Sequence, residues 1–222
     1  MTFVDRTDAG RRLAERLTHL HTEPVVVLGL ARGGVPVAAP VAIALGAPLD
    51  VLAVRKIPLP GHPEVAMGAL AEGGVLVMET HARLAGHTDA DLEAAAAAEL
   101  ATLAHEVGYR DGRQPVSLVG ATAVVVDDGL ATGATARAAC LSARARGAAR
   151  VVLAVPVAPP HWSLPMHDVA DECLALHVPA AFHAVSDAYE DFAPTSDDDV
   201  LAALAEVAAE LATLPDAVAL RG

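Results

Sequence analysis

Apolar and polar positions along the chain fall into short runs of two kinds. Residues 25–30 and 123–126 are unbroken aliphatic stretches bounded by turn residues, the pattern of strands buried on both faces of a parallel sheet. Similar runs predict strands at 50–56, 75–78, 151–155 and 172–176, and the strand at 123 is expected to reach Asp127. Helical signals separate most of them. Thr88 and Asp91 form a capping-box-like start for the alanine-rich stretch to Val107, and Gly108 is placed to stop it. Residues 133–146 read as a helix ended by Gly147, and 197–214 as a final amphipathic helix. The uncharged stretch 33–49 holds Pro36, Pro40 and Pro48 and is shorter than the roughly 20 residues of a membrane span, so it reads as a buried helix and a turn. Alternating strands and helices predict an α/β fold: an open, mostly parallel central sheet flanked by helices.

The chemistry concentrates at V-V-V-D-D-G-L-A-T-G-A-T, residues 124–135. Asp127 and Asp128 end a predicted strand, and in open α/β sheets ligands bind in the crevice outside the carboxyl ends of the strands. The small residues Ala131, Thr132, Gly133, Ala134 and Thr135 follow. Their backbone N–H groups can converge on an anion at the start of the next helix, and the two threonine hydroxyls can donate to it. A helix terminus adds only about 0.3–1 kcal/mol per charge at an exposed site, so hydrogen bonds must carry much of the affinity for a phosphate.

Paired acids followed by T-G-x-T after an apolar strand resemble the phosphoribosyl-pyrophosphate motif of type I phosphoribosyltransferases. The resemblance implies that Asp127 and Asp128 hold the ribose hydroxyls and that 131–135 wraps the 5′-phosphate. A second segment, V-V-V-L-G-L-A-R-G-G-V at 25–35, resembles that family's pyrophosphate loop. Ala31, Arg32, Gly33 and Gly34 are then the donor-binding residues, with a cis peptide implied between Ala31 and Arg32. A dinucleotide fingerprint competes for this segment, but G-L-A-R-G-G lacks the G-x-G-x-x-G spacing.

A third segment, L-A-V-R-K-I-P-L-P-G-H-P-E-V-A-M-G-A at 52–69, resembles a subgroup of the family whose acceptors are mostly undefined. The likeness extends to Y-R-D-G-R at 109–113 and Y-E-D-F at 189–192, so a single domain over 1–222 is expected. The family carries a mobile loop at the third segment, here 57–74, and a variable hood, here 1–20 and 161–194. Arg32, Arg55 and Lys56 are the candidates for leaving-group charge. Successive strand residues point to opposite faces, so Arg55 and Lys56 are not expected to serve together. Some relatives place an aspartate before T-G-x-T as a general base; this chain has Ala131, which leaves Glu64 and His62 as either bases or solvated loop residues. Phe182, Tyr189 and Phe192 either stack on an aromatic acceptor or fill the hood's core. The subgroup has a glycine and a tryptophan where Ser186 and Ala188 stand, which separates the acceptor side from the subgroup's pattern.

Composition narrows the function classes. The chain has 222 residues, 54% of them apolar, and a net charge of −13 with only fifteen Lys and Arg, which argues against nucleic-acid binding. Cys140 and Cys173 are read as reduced thiols outside any metal-spaced cluster. His19 and His21 could share a strand face, but no H-E-x-x-H is present, and no G-x-S-x-G supports serine hydrolysis. The charged segment 2–12 has no apolar run, and a cytoplasmic protein without membrane partners is expected. The resemblance implies transfer of a ribosyl 5-phosphate from phosphoribosyl pyrophosphate to a small, possibly heteroaromatic, acceptor. It also implies Mg²⁺ held through water by Asp127 and Asp128, a role in nucleotide metabolism, and a homodimer. A non-catalytic sensor of the same donor and a phosphosugar hydrolase are the alternatives.

Overall fold

In a computed structural model of the chain, residues 1–214 are described, apart from the side chains of Pro63 and Glu64. The elements in order are α1 (Arg6–Arg16), β1 (Val25–Leu30), α2 (Gly34–Leu45), β2 (Leu49–Leu52), β3 (Val54–Leu59), β4 (His62–Ala71), β5 (Val75–Met78) and α3 (Thr80–Leu84). They continue with α4 (Asp89–Ala96), α5 (Leu100–Val107), β6 (Thr122–Val126), α6 (Ala134–Ala145), β7 (Arg150–Val157), β8 (Glu172–His177) and α7 (Asp197–Thr213).

Five strands form a parallel sheet in the order β2-β1-β6-β7-β8. Its unbroken aliphatic strands have a layer on each face. Val26, Leu28, Val125 and Leu153 point to α6, whereas Val25, Val27, Val124 and Val152 point to α1, α2 and α7. The register Val25↔Thr122 and Val26↔Ala123 carries the ends of β1 and β6 out of the sheet side by side. The loops after these two strands, which hold the candidate chemistry, are therefore neighbours.

The expected strand 50–56 is two strands. The chain leaves the parallel sheet at buried Ala53, and β3, β4 and β5 form a separate antiparallel sheet. One face, with Val54, Ala69, Ala71 and Val77, packs on α6; the other, with Ile57, Met67 and Leu70, makes its own core with Leu92, Ala96 and Leu103. The stretch 57–74, expected as a loop, is thus mainly a β-hairpin that turns at 60–61. Its prolines suggested a loop, yet Pro58 sits on the edge strand β3, where a missing N–H is tolerated, and the register shifts there.

Residues 88–107 form two helices, α4 and α5, joined by a 3₁₀ turn at 97–99. The Thr88–Asp91 capping box is present, but Gly108 has φ −61° and the left-handed stop falls at Asp111, φ 50°. The final helix starts with a second capping box, Ser196 with Asp199. The segments expected as a hood are divided: α1 lies on α2 over the main sheet, while Phe3 bridges to Tyr189 and packs with Ala188 and Val157 near the ends of β7 and β8.

Candidate functional site

The site begins where β6 ends. Asp127 and Asp128 follow Val126 directly, and Asp128 donates its N–H to Asp127 Oδ1 at 2.9 Å. Burial pushes the Asp127 carboxyl well above the usual carboxylate range, and the adjacent Asp128 charge adds to the effect. Asp128 is also raised by burial, and Arg6 works against the rise. Arg6, at the start of α1, brings both Nε and Nη2 to 2.9 Å from Asp128 Oδ2. The remaining fork atom, Nη1, donates to the Ala193 carbonyl at 2.7 Å, and the guanidinium lies 4.0 Å from the centre of the Phe192 ring.

The loop after β1 closes against these acids. The Ala31–Arg32 peptide is cis, as the family resemblance implies. A Cβ at Gly33 would lie 2.2 Å from Asp128 Oδ2, and one at Gly34 would lie 2.6 Å from the Val126 carbonyl oxygen. Both positions therefore require glycine for close approach, not for backbone conformation.

Residues 131–135 open α6. Gly133 caps the helix at φ 89°, Ala131 and Thr132 are exposed, and Thr135 is half-buried. The N–H groups of the first turn have no partner within the helix, so this end can take an anion.

The candidate cations divide. Arg55, expected as a candidate for leaving-group charge, donates to Glu99 at 3.2 Å and to Glu106 at 3.1 Å on the α5 side of the hairpin. Lys56, on the opposite face of β3, is exposed. Arg32 is 47% exposed and lies 3.1 Å from Asp197 Oδ1. Asp197 also accepts from the Tyr109 hydroxyl at 2.7 Å and meets His105 Nε2 at 3.0 Å, bonds that hold its carboxyl below the usual range. Glu64's side chain lies outside the described residues, and His62 is exposed at the hairpin turn.

Tyr189 is 7% exposed, its ring packs on Phe3 and Phe192, and its hydroxyl donates to the Asp128 carbonyl at 2.5 Å. It supports the acid pair from behind and is too buried to stack on an acceptor. Phe192 lies under Arg6. Phe182 lines a cavity of about 140 Å³ with His177, His183 and Asp187. A groove of about 580 Å³ between α1, α2 and α7 is bordered by Arg6 but by neither Asp127 nor Asp128.

Sequence patterns assigned no role to several residues that organise this region. Buried Arg110 donates to Asp50 at 2.6 Å, to both oxygens of Glu72 at 2.8 Å and to the Val51 carbonyl at 2.5 Å. Y-R-D-G-R was the available signal: Tyr109 reaches Asp197 while Arg110 ties the β2–β3 junction to the turn after β4. Arg6 carried no signal, being one charge in a charged segment.

Comparison with known proteins decides the family. A model described as phosphoribosyl transferase domain matches residues 5–192. The chain belongs to the phosphoribosyl transferase family. This family member is 50% identical over 204 residues to proteins of two Mycobacterium tuberculosis strains, each named "Putative phosphoribosyl transferase". The match covers 91% of this chain and 46% of those relatives, so the chain spans about half their length. The crystal structure of a Thermus thermophilus protein shares 46% identity and a TM-score of 0.78, covering 93% of this chain and 99% of that one. Among the described residues no helix is long and apolar enough to cross a membrane.

Proposed function

We propose that the domain transfers a ribosyl 5-phosphate group from phosphoribosyl pyrophosphate to a small acceptor, with release of pyrophosphate. The observation that carries this reading is the convergence of three loops: the acid pair after β6, the glycines after β1 that touch it, and the anion-ready start of α6.

The residues act as follows. Asp127 uses Oδ1 on a backbone N–H and Asp128 uses Oδ2 on Arg6, so Asp127 Oδ2 and Asp128 Oδ1 remain to accept the two ribose hydroxyls. Thr132, Thr135 and the first N–H groups of α6 bind the 5′-phosphate. Backbone groups at 32–34 and the Arg32 guanidinium meet the pyrophosphate, and Lys56 adds charge from β3. As the bond from the anomeric carbon to the pyrophosphate oxygen breaks, its electron pair leaves with pyrophosphate. The acceptor's lone pair closes on the anomeric carbon, and the acceptor's proton passes to a base or to water. Positive charge develops on the sugar ring as the bond to pyrophosphate breaks, and the oriented carboxyl groups of the acid pair, accepting from the ribose hydroxyls, lower the barrier.

Among the described residues no group of three or more His, Cys, Asp or Glu could hold a metal by itself. The donor set nonetheless fits Mg²⁺, which keeps several waters and binds through one or two carboxylates plus substrate oxygens. Asp127 and Asp128 would hold it, through water, and it would supply charge neutralisation at the pyrophosphate. Phe182 and its cavity are the acceptor side of this reading.

Calorimetric titration with phosphoribosyl pyrophosphate, with and without Mg²⁺, tests the proposal in wild type and in the Asp127→Ala, Asp128→Ala double variant. Metal-assisted binding lost in the variant, followed by pyrophosphate release with an added acceptor, is the expected result. Binding without turnover across acceptors would favour the sensor reading. Pyrophosphate release without an acceptor would favour the hydrolase.

A further inference from the structure

Among the described residues, Arg6 is the charged side chain that joins the acid pair to the chain segment behind it. Its two short bonds converge on a single oxygen, Asp128 Oδ2, and leave Oδ1 without a hydrogen-bond partner among the described residues. Its third donor holds the Ala193 carbonyl, and its flat face rests on Phe192. Tyr189, from the same segment, donates to the Asp128 backbone carbonyl. Side chain and main chain of Asp128 are thus both fixed from 189–193. Phe3 and Val4 in turn accept the Glu190 and Asp191 N–H groups, which ties the segment to the start of α1.

Resting on the ribose-binding reading above, we infer that Arg6 is a positioning residue for the sugar. It holds Asp128 in the rotamer that aims Oδ1 at a ribose hydroxyl, and Phe192 and Ala193 hold Arg6. A guanidinium is suited to this because it can donate twice to one oxygen, once to a carbonyl and stack on a ring at the same time; an ammonium cannot do all of these. The pair is also mostly withdrawn from solvent, with side-chain exposures of 13% and 17%, which separates it from the surface pairs that contribute little order.

The inference predicts a selective defect. Arg6→Lys keeps the charge and loses the fork, so it should weaken phosphoribosyl pyrophosphate binding by about tenfold, the scale of one charge-assisted hydrogen bond. Binding of inorganic pyrophosphate without Mg²⁺, a ligand that has no hydroxyls and needs no metal on the acid pair, should change less than about twofold. In an Asp128→Asn background, Arg6→Lys should have little further effect on donor binding, since the two residues act through one contact. Phe192→Leu removes the stacking surface alone and should reproduce the selectivity more weakly, which keeps the test open if Arg6→Lys melts early. Equal losses for both ligands would assign Arg6 to general structure and overturn the inference. So would donor binding unchanged in folded Arg6→Lys, or full additivity with Asp128→Asn. Failure of wild type to bind the donor is a different result: it would remove the functional reading itself, and this inference with it.

Discussion

Gly33→Ala isolates the closeness of the two loops from every other property of the site. Gly33 has φ −61°, which alanine adopts freely, so the substitution introduces no backbone strain. The added methyl would meet Asp128 Oδ2 at 2.2 Å, whereas ordinary contact begins at 3.4 Å, so the carboxylate or the loop must move by about 1.2 Å, the difference of the two. Arg6 Nε, 3.2 Å from the same methyl, blocks the simplest retreat. Overpacking of this kind costs about 1–3 kcal/mol, and losing the Arg6–Asp128 pair altogether raises the cost toward about 3–5 kcal/mol. For a chain of this size each kcal/mol lowers the melting temperature by about 2–4 °C. The larger effect falls on function, because a misplacement of about 1 Å at a reacting site costs on the order of 100-fold. Thermal melting and donor calorimetry, run beside Gly108→Ala, measure both. Gly108 has φ −61° and open space around its missing methyl, so that control should be neutral or gain about 0.4–1 kcal/mol. Gly33→Ala binding the donor as wild type does would show that the loops do not share a ligand.

Three further substitutions probe different parts of the structure. Arg110→Met removes the main partner of buried Asp50, which keeps only Arg146 at 3.3 Å, and strands half-buried Glu72, so it should destabilise by about 2–4 kcal/mol in chemical unfolding; a loss under about 1 kcal/mol would show that the ion cluster is not what fixes the second sheet. Asp127→Asn should stabilise the ligand-free fold while weakening donor binding. An acid whose folded pKa is raised loses stability as pH climbs from its unfolded value near 3.9 through the raised one, so the variant's advantage in melting temperature should vanish at the acid end and grow toward neutral pH; a constant difference would contradict the burial of this carboxyl. Tyr189→Phe strips one hydrogen bond from the Asp128 carbonyl and should cost about 0.5–1.5 kcal/mol, with donor affinity falling in the same variant; loss of stability alone would separate Tyr189 from the site.

The parallel sheet was legible because its inner strands are buried on both faces and read as unbroken aliphatic runs; β1 falls at the expected residues, and the expected capping box before α4 is present. The second sheet was not. Nothing in the run 50–56 marks Ala53 as the point of departure, because a small apolar residue serves equally in one long strand or at a sheet-to-sheet crossing. The prolines of 58–63 then resembled a loop, since sequence alone does not say that β3 is an edge. The site divides in the same way. Asp127, Asp128 and the T-G-A-T turn are local in sequence and were readable, whereas Arg6 reaches Asp128 across 122 positions, and no spacing rule connects them.

Burial then sorts the cations into two classes that composition could not separate. In Arg110, 6% exposed among Asp50 and Glu72, every direction of the fork is spent on the protein, and Arg55 is spent on Glu99 and Glu106. These side chains hold the second sheet in place and are committed to protein acceptors. Arg32, nearly half exposed, keeps most of its fork available, and its carboxylate partner, Asp197, is itself a surface group shared with Tyr109 and His105. Exchanging that exposed contact for a pyrophosphate oxygen loses little, because surface pairs contribute about 0–1 kcal/mol, and it gains a more highly charged partner. On the proposed function, the same chain is strongly acidic overall and still offers a local anion site: its buried acids Asp50 and Glu106 are matched to structural arginines, and the loop after β1 carries a guanidinium held only by an exposed carboxylate.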